Sequence, residues 1–570
     1  MKNRSHKTGP TPAAPIRPRS LFRGPASLVC LIALVAAVML YRPALHGPFL
    51  FDDLSLPFSL TLGESPLSVW LSGVRPVLMF SYWLNHQLSP SPFGYHVVNV
   101  MIHACNMALI FAILSRLLLL AGWTPKRTRV AAAVGAAVFL AHPLATESVS
   151  YIAGRSESLG AFFVLAAYAL FLYRREQEIR WRDAAAILAL FALGVATKEN
   201  MVAFAGILLL TDWIFPRATS RRLYLVLAPG ALLAIIAVLR MLTHGGNAGF
   251  SMREFTWYQY SFTQARAIFA YIRLAVLPLG QSVDHDFPIS YTILQHGAWM
   301  YASALVVLIA LAVLWRRRYA LACFGLLMFL IWLAPTSSII PIADPFVERR
   351  MYLPMVGLIL IACDVLSRLR LSPPIAWSAA SVVLLTLTVL TWDRNTLWGR
   401  PEELLASAAQ QAVQNPRPVA NLTETLIANN HCQDALPWLE RADRLLPRNY
   451  VIEASWGRAL ECIGRREEAL ARLTAAAALY PNWKLFELIG LLDGEMDRME
   501  AAGEALRTAI AMEPRAGSPH RSLALWYEAR HDPAAAMAEY RTALAIDPND
   551  FRARLGLARL QASMTPPSAP

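Results

Sequence analysis

The chain has 570 residues, 56% of them hydrophobic and only 16% charged, with a mean hydropathy of +0.41. That is too apolar for an ordinary soluble protein and too long for one domain. A net charge of +13 would suit a nucleic-acid binder, but the basic residues sit in short clusters beside hydrophobic runs. This is the pattern of cytoplasmic loops, and it argues against nucleic acid as a partner.

Residues 1–25 contain Lys2, Arg4, Lys7, Arg17, Arg19 and Arg23 and read as a basic cytoplasmic tail. The first apolar run, 26–40, lacks a small-residue cleavage site before Tyr41-Arg42-Pro43 and reads as a retained signal anchor. Hydrophobic runs then recur to residue 392. Region 26–392 is therefore expected to be an all-α, polytopic membrane helix bundle of about eleven spans, each able to cross a hydrocarbon core of ~30 Å. With the N-terminus inside, the outer loop 42–95 carries the first acidic motif. The basic pairs Lys126-Arg127 and Arg174-Arg175 and the triplet Arg316-Arg317-Arg318 fall on the inner side. The stretch 262–279 is broken by Arg266, Arg273 and Pro278 and reads as an in-plane or re-entrant helix on the outer side. An odd number of spans places the C-terminal part of the chain outside.

After residue 392 the apolar runs stop. Residues 393–416 read as a linker. Pro416, Pro447, Pro481, Pro514 and Pro548 then recur at intervals of 31, 34, 33 and 34 residues. Twelve residues before the last four stand Ala435, Ala469, Ala502 and Ala536, and five before them Ala442, Ala476, Ala509 and Ala543. This is the tetratricopeptide pattern of paired antiparallel helices, with small residues at the close approach and Pro after the second helix. Four repeats and a capping helix are expected over 417–562, forming an α-solenoid with a concave face for a polypeptide. Residues 563–570 read as a disordered tail.

The unusual polar residues fall on outer-facing loops and span ends. Asp52 and Asp53 come first; a carboxylate pair at a membrane face has to be solvated, paired or used. Arg75-Pro76 comes second. His96, Asn99 and His103 stand at i, i+3 and i+7 on one helix face. Then come His142-Pro143, Glu147, Gly154-Arg155-Ser156-Glu157, Lys198-Glu199-Asn200, and Asp344 to Arg349 with Glu348. Span parity puts them all on one side. Each also has a structural alternative. His96 and His103 can be hydrogen-bonders in helix packing. Lys198-Glu199 and Glu348-Arg349 can be ion pairs that orient helices. Arg155 and Glu157 can be solvated loop charges, and Asp52-Asp53 a helix cap. No DxD spacing supports a metal site, and none is expected.

These motifs resemble those of the transmembrane and tetratricopeptide-repeat-containing O-mannosyltransferases, a branch of the polytopic GT-C glycosyltransferases. The resemblance is carried by Phe51-Asp52-Asp53, Arg75-Pro76, His96-Val97-Val98-Asn99 with His103, His142-Pro143 through Glu157, Lys198-Glu199, and Glu348-Arg349 through Tyr352-Leu353-Pro354. The family form of the fourth motif usually has Asp where this chain has Glu157. The repeat array is also shorter than in some eukaryotic members.

The resemblance implies transfer of a sugar, mannose by family, from a polyprenyl-phosphate donor to a Ser or Thr hydroxyl of a protein. Transfer would occur with inversion at the outer membrane face. Asp52 would be the base, with Asp53 raising its pKa or orienting the acceptor. Arg75, His96, His103, Arg155, Lys198 and Arg349 would meet the donor phosphate. Asn99, His142, Glu157, Glu199 and Glu348 would support them, without metal or other cofactor. The partners would be membrane lipid, the lipid-linked donor, and an acceptor polypeptide or partner protein on the repeats.

Two other classes fit less well. A lipid-linked-substrate transporter or flippase expects ionisable residues in mid-span and two related halves. A membrane-anchored scaffold needs one span and no Asp pair. The composition points to a bacterial inner membrane, with the N-terminus cytoplasmic and the repeats periplasmic. That oxidising compartment permits a Cys432–Cys462 bridge.

Overall fold

The computed structural model describes residues 25–57, 66–71, 74–175, 179–216, 221–244, 255–369, 371–548 and 550–564. The basic tail before residue 25 and the tail beyond 564 lie outside the described residues. Among the described residues every regular element is a helix.

Four helices are long and apolar enough to cross a membrane: Pro92–Leu120, Arg155–Arg174, Gln295–Trp315 and Pro373–Trp398. Pro125–Ala141 and Pro143–Val149 make a fifth if taken as one span, bent by 54°. The bend has a local cause. Pro143 disfavours helical geometry at the residue before it, and His142 is extended at φ −82°, ψ 125°. The eleven spans expected from hydrophobic runs are not reached by this measure. Pro25–Tyr41, Trp181–Thr197, Phe204–Ile214, Ala320–Leu333 and Pro354–Arg368 have 11 to 17 residues. Part of the apolar sequence beside them goes into tight turns: the run after Lys198 starts as a 3-10 turn, Glu199–Ala203, before the helix begins. The interrupted stretch near 262–279 forms the helix Trp257–Val276, which is not among the membrane-crossing candidates.

Two of the short helices, Ala320–Leu333 and Pro354–Arg368, cross at glycines. A methyl added at Gly325 would lie 2.5 Å from the Gly357 carbonyl oxygen, and one at Gly357 would lie 2.9 Å from the Phe329 nitrogen. Small residues drive such approaches where lipid supplies no hydrophobic force. The crossing matters because the second helix comes directly after the Glu348–Met351 turn.

The repeats form as the spacing predicts. Arg417–Ala428 pairs with Cys432–Leu445, Tyr450–Cys462 with Arg466–Leu479, Trp483–Glu495 with Met499–Met512, and Gly517–Ala529 with Pro533–Ile546, and Phe551–Met564 ends the stack. Ala435, Ala469, Ala502 and Ala536 are wholly buried. Each turn within a repeat places a residue in the left-handed region: Asn430, Gly464, Asp497 and His531, at φ 57° to 82°. That conformation ends the first helix of each pair. Cys432 and Cys462 are joined by a disulfide between neighbouring repeats.

The segment read as a linker is mostly helical. The last membrane helix runs on to Trp398, and Pro401–Gln411 buries Leu405 and Ala409 against Val419, Leu422 and Leu426 of the first repeat. Its sequence lacks a repeat signature because it packs at the end of the stack.

Overpacking typically costs about 1–3 kcal/mol. Gly325→Val is expected to lower the melting temperature of the detergent-purified full chain. At Gly494 the nearest atom to an added methyl is 4.0 Å away, so Gly494→Ala should not lower it. Equal melting of Gly325→Val and wild type would contradict the close crossing.

Candidate active site

Asp52 and Asp53 lie in a short 3-10 turn, Phe51–Ser55, and face opposite ways. Phe51 holds a positive φ of 49°, a strained geometry for a bulky side chain that surrounding packing must maintain. Its ring stands edge-on to Tyr151 at 5.9 Å and also packs against the core of the first repeat. The Asp52 backbone N–H donates to the Tyr151 hydroxyl at 2.9 Å, and the Asp52 side chain stays exposed. Asp53 is buried. Its carboxylate accepts the Leu50 N–H at 3.0 Å and the Ala153 N–H at 2.7 Å, stapling the loop after the first helix to the turn before the Arg155–Arg174 helix.

Asp52 borders a cavity of about 720 Å³. Arg75, Glu157, Lys198, Glu199 and Arg349 also line it, so five separate segments meet there. Most of its charges are paired. The Arg75 guanidinium donates twice to Glu199, at 2.6 and 3.0 Å. Lys198 Nζ reaches Glu157 at 2.5 Å and Ser156 at 3.3 Å. Arg349 donates to Glu147 from its side chain at 2.6 Å and from its backbone at 2.9 Å. The ion pairs therefore run between segments, not along them as Lys198-Glu199 and Glu348-Arg349 would. Arg75 and Arg349 keep 33% and 26% side-chain exposure, enough to meet a ligand as well as their carboxylates. Val69, Val74, Leu78, Met79 and Ile342 add an apolar part to the lining.

The structure does not bring His96, His103 or Arg155 to this cavity. His96 hydrogen-bonds the Gly47 carbonyl at 3.1 Å. His103 lies deeper, against the Tyr352 hydroxyl at 2.7 Å and the Tyr41 hydroxyl at 3.4 Å. Arg155 is wholly buried. It donates to Asn99 Oδ1 at 2.6 Å, Asn85 Oδ1 at 2.7 Å and the Tyr95 carbonyl at 3.0 Å, and lies over the Tyr82 ring at 4.6 Å. Helical spacing put these groups on one face correctly. It could not say that the face turns into the bundle.

Of the expected supporting residues, Glu157 and Glu199 line the cavity, whereas Asn99, His142 and Glu348 make their contacts elsewhere. The Asn99 amide donates to the Val149 and Tyr151 carbonyls, at 3.1 and 3.3 Å. His142 accepts the Leu144 N–H through Nδ1 and contacts the Ala275 carbonyl through Nε2 at 3.0 Å. Glu348 is buried, bonded to Gln281, the Ser282 N–H and His285 at 2.6 to 2.8 Å, so it anchors loop 281–285.

Sequence reasoning passed over Tyr151 and Arg350 as site residues. Tyr151 lies inside the His142–Glu157 motif, and Arg350 is the neighbour of Arg349. Arg350 lines the cavity with its guanidinium on the Asp344 and Pro345 carbonyls, at 2.6 and 3.1 Å. Among the described residues no three His, Cys, Asp or Glu are grouped to hold a metal ion.

No family model matches the chain. It is 23% identical to protein O-mannosyl-transferase TMTC3 of Mus musculus, over 91% of this chain and 64% of that protein. It is 25% identical to protein O-mannosyl-transferase F38B6.6 of Caenorhabditis elegans, over 72% of this chain and 62% of that protein. The Homo sapiens TMTC3 is 22% identical, over 84% and 58%. The chain resembles protein O-mannosyl-transferases. These are the proteins its motifs resemble, and it spans somewhat under two thirds of their length. Among solved structures, that of TTC0263, a thermophilic TPR protein in Thermus thermophilus, matches at 20% identity and a TM-score of 0.27, over 31% of this chain and 95% of that one.

Burial above all, with a smaller push from neighbouring Asp52, raises the Asp53 carboxyl to about 7 against the lowering effect of the two backbone N–H donors and of Arg155. An unfolded Asp titrates near 3.9. The folded protein therefore holds this proton where the unfolded chain has lost it. The stabilisation is fully present below about pH 4 and is lost as pH rises towards 7. Melting temperature should fall over that window in wild type and fall less in Asp53→Asn. Identical slopes would remove Asp53 as the titrating group.

Proposed function

We propose that this chain is an integral-membrane glycosyltransferase that moves a sugar, mannose by its relatives, from a polyprenyl-phosphate donor to a Ser or Thr hydroxyl of a protein. The observation that carries the reading is the exposed Asp52 at the rim of a cavity that is lined by the paired but partly exposed guanidiniums of Arg75 and Arg349 and by apolar side chains.

The chemistry derives from that arrangement. A Ser or Thr hydroxyl is a weak nucleophile at neutral pH, so a positioned carboxylate takes its proton as the new bond forms. Asp52 is that base, and the Tyr151 hydroxyl holds its backbone in place. The hydroxyl oxygen attacks the anomeric carbon, and the bond from that carbon to the phosphate oxygen breaks. The lipid phosphate leaves with the electron pair. One in-line displacement inverts the anomeric centre. Arg75 and Arg349, with Lys198 behind them, lie where negative charge accumulates on the leaving phosphate. The apolar wall of Val69, Val74, Leu78 and Met79 suits the first isoprene units. Asp53, Arg155, Asn99 and Glu348 position the catalytic turn and loops; they do not touch substrate. No metal is required by this scheme.

The proposed setting is a bacterial inner membrane crossed about eleven times, with the N-terminus cytoplasmic. The shorter helices complete the spans, and the cavity and repeats face the periplasm.

Asp52→Asn is expected to lower transfer from mannosyl-phosphoryl-polyprenol to a Thr peptide by about 10²–10⁴-fold. Membrane insertion and melting temperature should stay as in wild type. Arg75→Ala should raise the donor KM by about tenfold, with a smaller effect on kcat. Full transfer by Asp52→Asn in purified protein would sink the assignment of the base.

A further inference from the structure

A second cavity, of about 210 Å³, also reaches Asp52. It shares Asp52, Tyr151, Asp344 and Arg349 with the larger one, but its other walls come from elsewhere. Trp398 ends the last membrane helix, Val283 and Asp284 belong to the loop anchored by Glu348, and Arg417 and Asn421 belong to the first repeat helix. Asp52 thus belongs to the lining of both cavities, and of the two only the smaller is lined by residues of the first repeat helix.

We propose that the acceptor polypeptide reaches Asp52 through this smaller cavity, with the first repeat helix as one of its walls, and that acceptors with a cationic residue beside the target hydroxyl are preferred. The proposal rests on the transfer reading and adds the route and chemistry of the acceptor.

Four observations support it. The first is size. The larger cavity falls within the range of sites for substantial ligands, and the smaller lies below it, fitting a side chain and its immediate backbone better than a glycolipid. The second is charge. Asp52, Glu147, Asp284 and Asp344 face only two guanidiniums, those of Arg349 and Arg417. Complementary charge selects partners and rejects like-charged ones.

The third is an unused donor in the wall. Trp398 is only 2% exposed, and among the described residues its indole N–H has no hydrogen-bond partner. Its ring stacks on Tyr151 at 5.8 Å. Both rings are almost fully buried, so the pair is packed wall, and its unpaired indole N–H is a donor that an entering carbonyl would satisfy. The fourth is the joint between the repeats and the outer loop. The Arg417 guanidinium donates to Asp284 at 2.6 and 2.7 Å and lies 2.8 Å from Asp344. The Val413 and Gln414 N–H groups donate to Asp286 at 2.7 and 2.6 Å. These contacts fix the first repeat at the cavity mouth, and Arg417 is a positioning residue for the acceptor.

The test uses the full chain in lipid nanodiscs. The probes are two ten-residue peptides, each with a central Thr and a photoreactive benzoylphenylalanine, one flanked by Lys and the other by Glu. The donor is mannosyl-phosphoryl-polyprenol. Cross-links mapped by mass spectrometry should fall on 281–286 and 413–421, and the Lys peptide should accept sugar about tenfold faster than the Glu peptide. Asn421→Trp, which fills the cavity from the repeat side, should lose both cross-linking and transfer while retaining bound labelled donor. Cross-links confined to the walls of the larger cavity, or full-rate transfer by Asn421→Trp, would overturn the proposal and leave the transfer reading standing. Cross-links at the smaller cavity without any transfer by wild type would do the reverse.

Discussion

Arg155 lies wholly inside the bundle, and none of its described partners is a carboxylate. A charge removed from water costs several kcal/mol unless its donors are satisfied. Here Asn99, Asn85 and the Tyr95 carbonyl accept from it, and the Tyr82 ring lies beneath it. In return Arg155 orients Asn99, whose amide holds the Val149 and Tyr151 carbonyls. The turn fixed in this way supplies both contacts on which the acidic motif depends: the Tyr151 hydroxyl for Asp52 and the Ala153 N–H for Asp53. One buried guanidinium thus ties together the ends of three helices and the loop packed over them.

The two aspartates illustrate how the same residue type takes different work from its surroundings. Asp53 is consumed by the fold: it is buried, accepts two backbone donors and titrates near neutrality. Asp52 is left facing open space. The same division separates the cations. Arg155 is spent inside, whereas Arg75 and Arg349 are each tied to one glutamate yet remain partly exposed. Ion pairs hold these side chains in place in the cavity wall, so a ligand there would meet them already ordered.

Much of the fold was legible in the sequence because its signals are local and periodic. The prolines and alanines at intervals of 31 to 34 residues report a helix pair per repeat, since each unit must bury the same small residues. The segments that line the cavity were legible one by one, because polar residues beside apolar runs stand out. Span number was less so. Apolar runs such as the one after Lys198 include residues that enter tight turns, and hydropathy does not distinguish a turn buried in protein from a helix in lipid.

The sequence by itself determined that this is an all-helical, multi-pass membrane protein with a repeat array, in which a set of polar residues stands beside the apolar runs. These are consequences of composition and period, which every residue reports independently. Only the tertiary structure decided which of those residues face the cavity. Whether His96, His103 and Arg155 point to solvent or inward, which carboxylate each cation meets, and that Arg417 of the first repeat lines a cavity with Asp52 all depend on contacts between segments far apart in the chain. Such contacts leave no periodic trace, because each is made once.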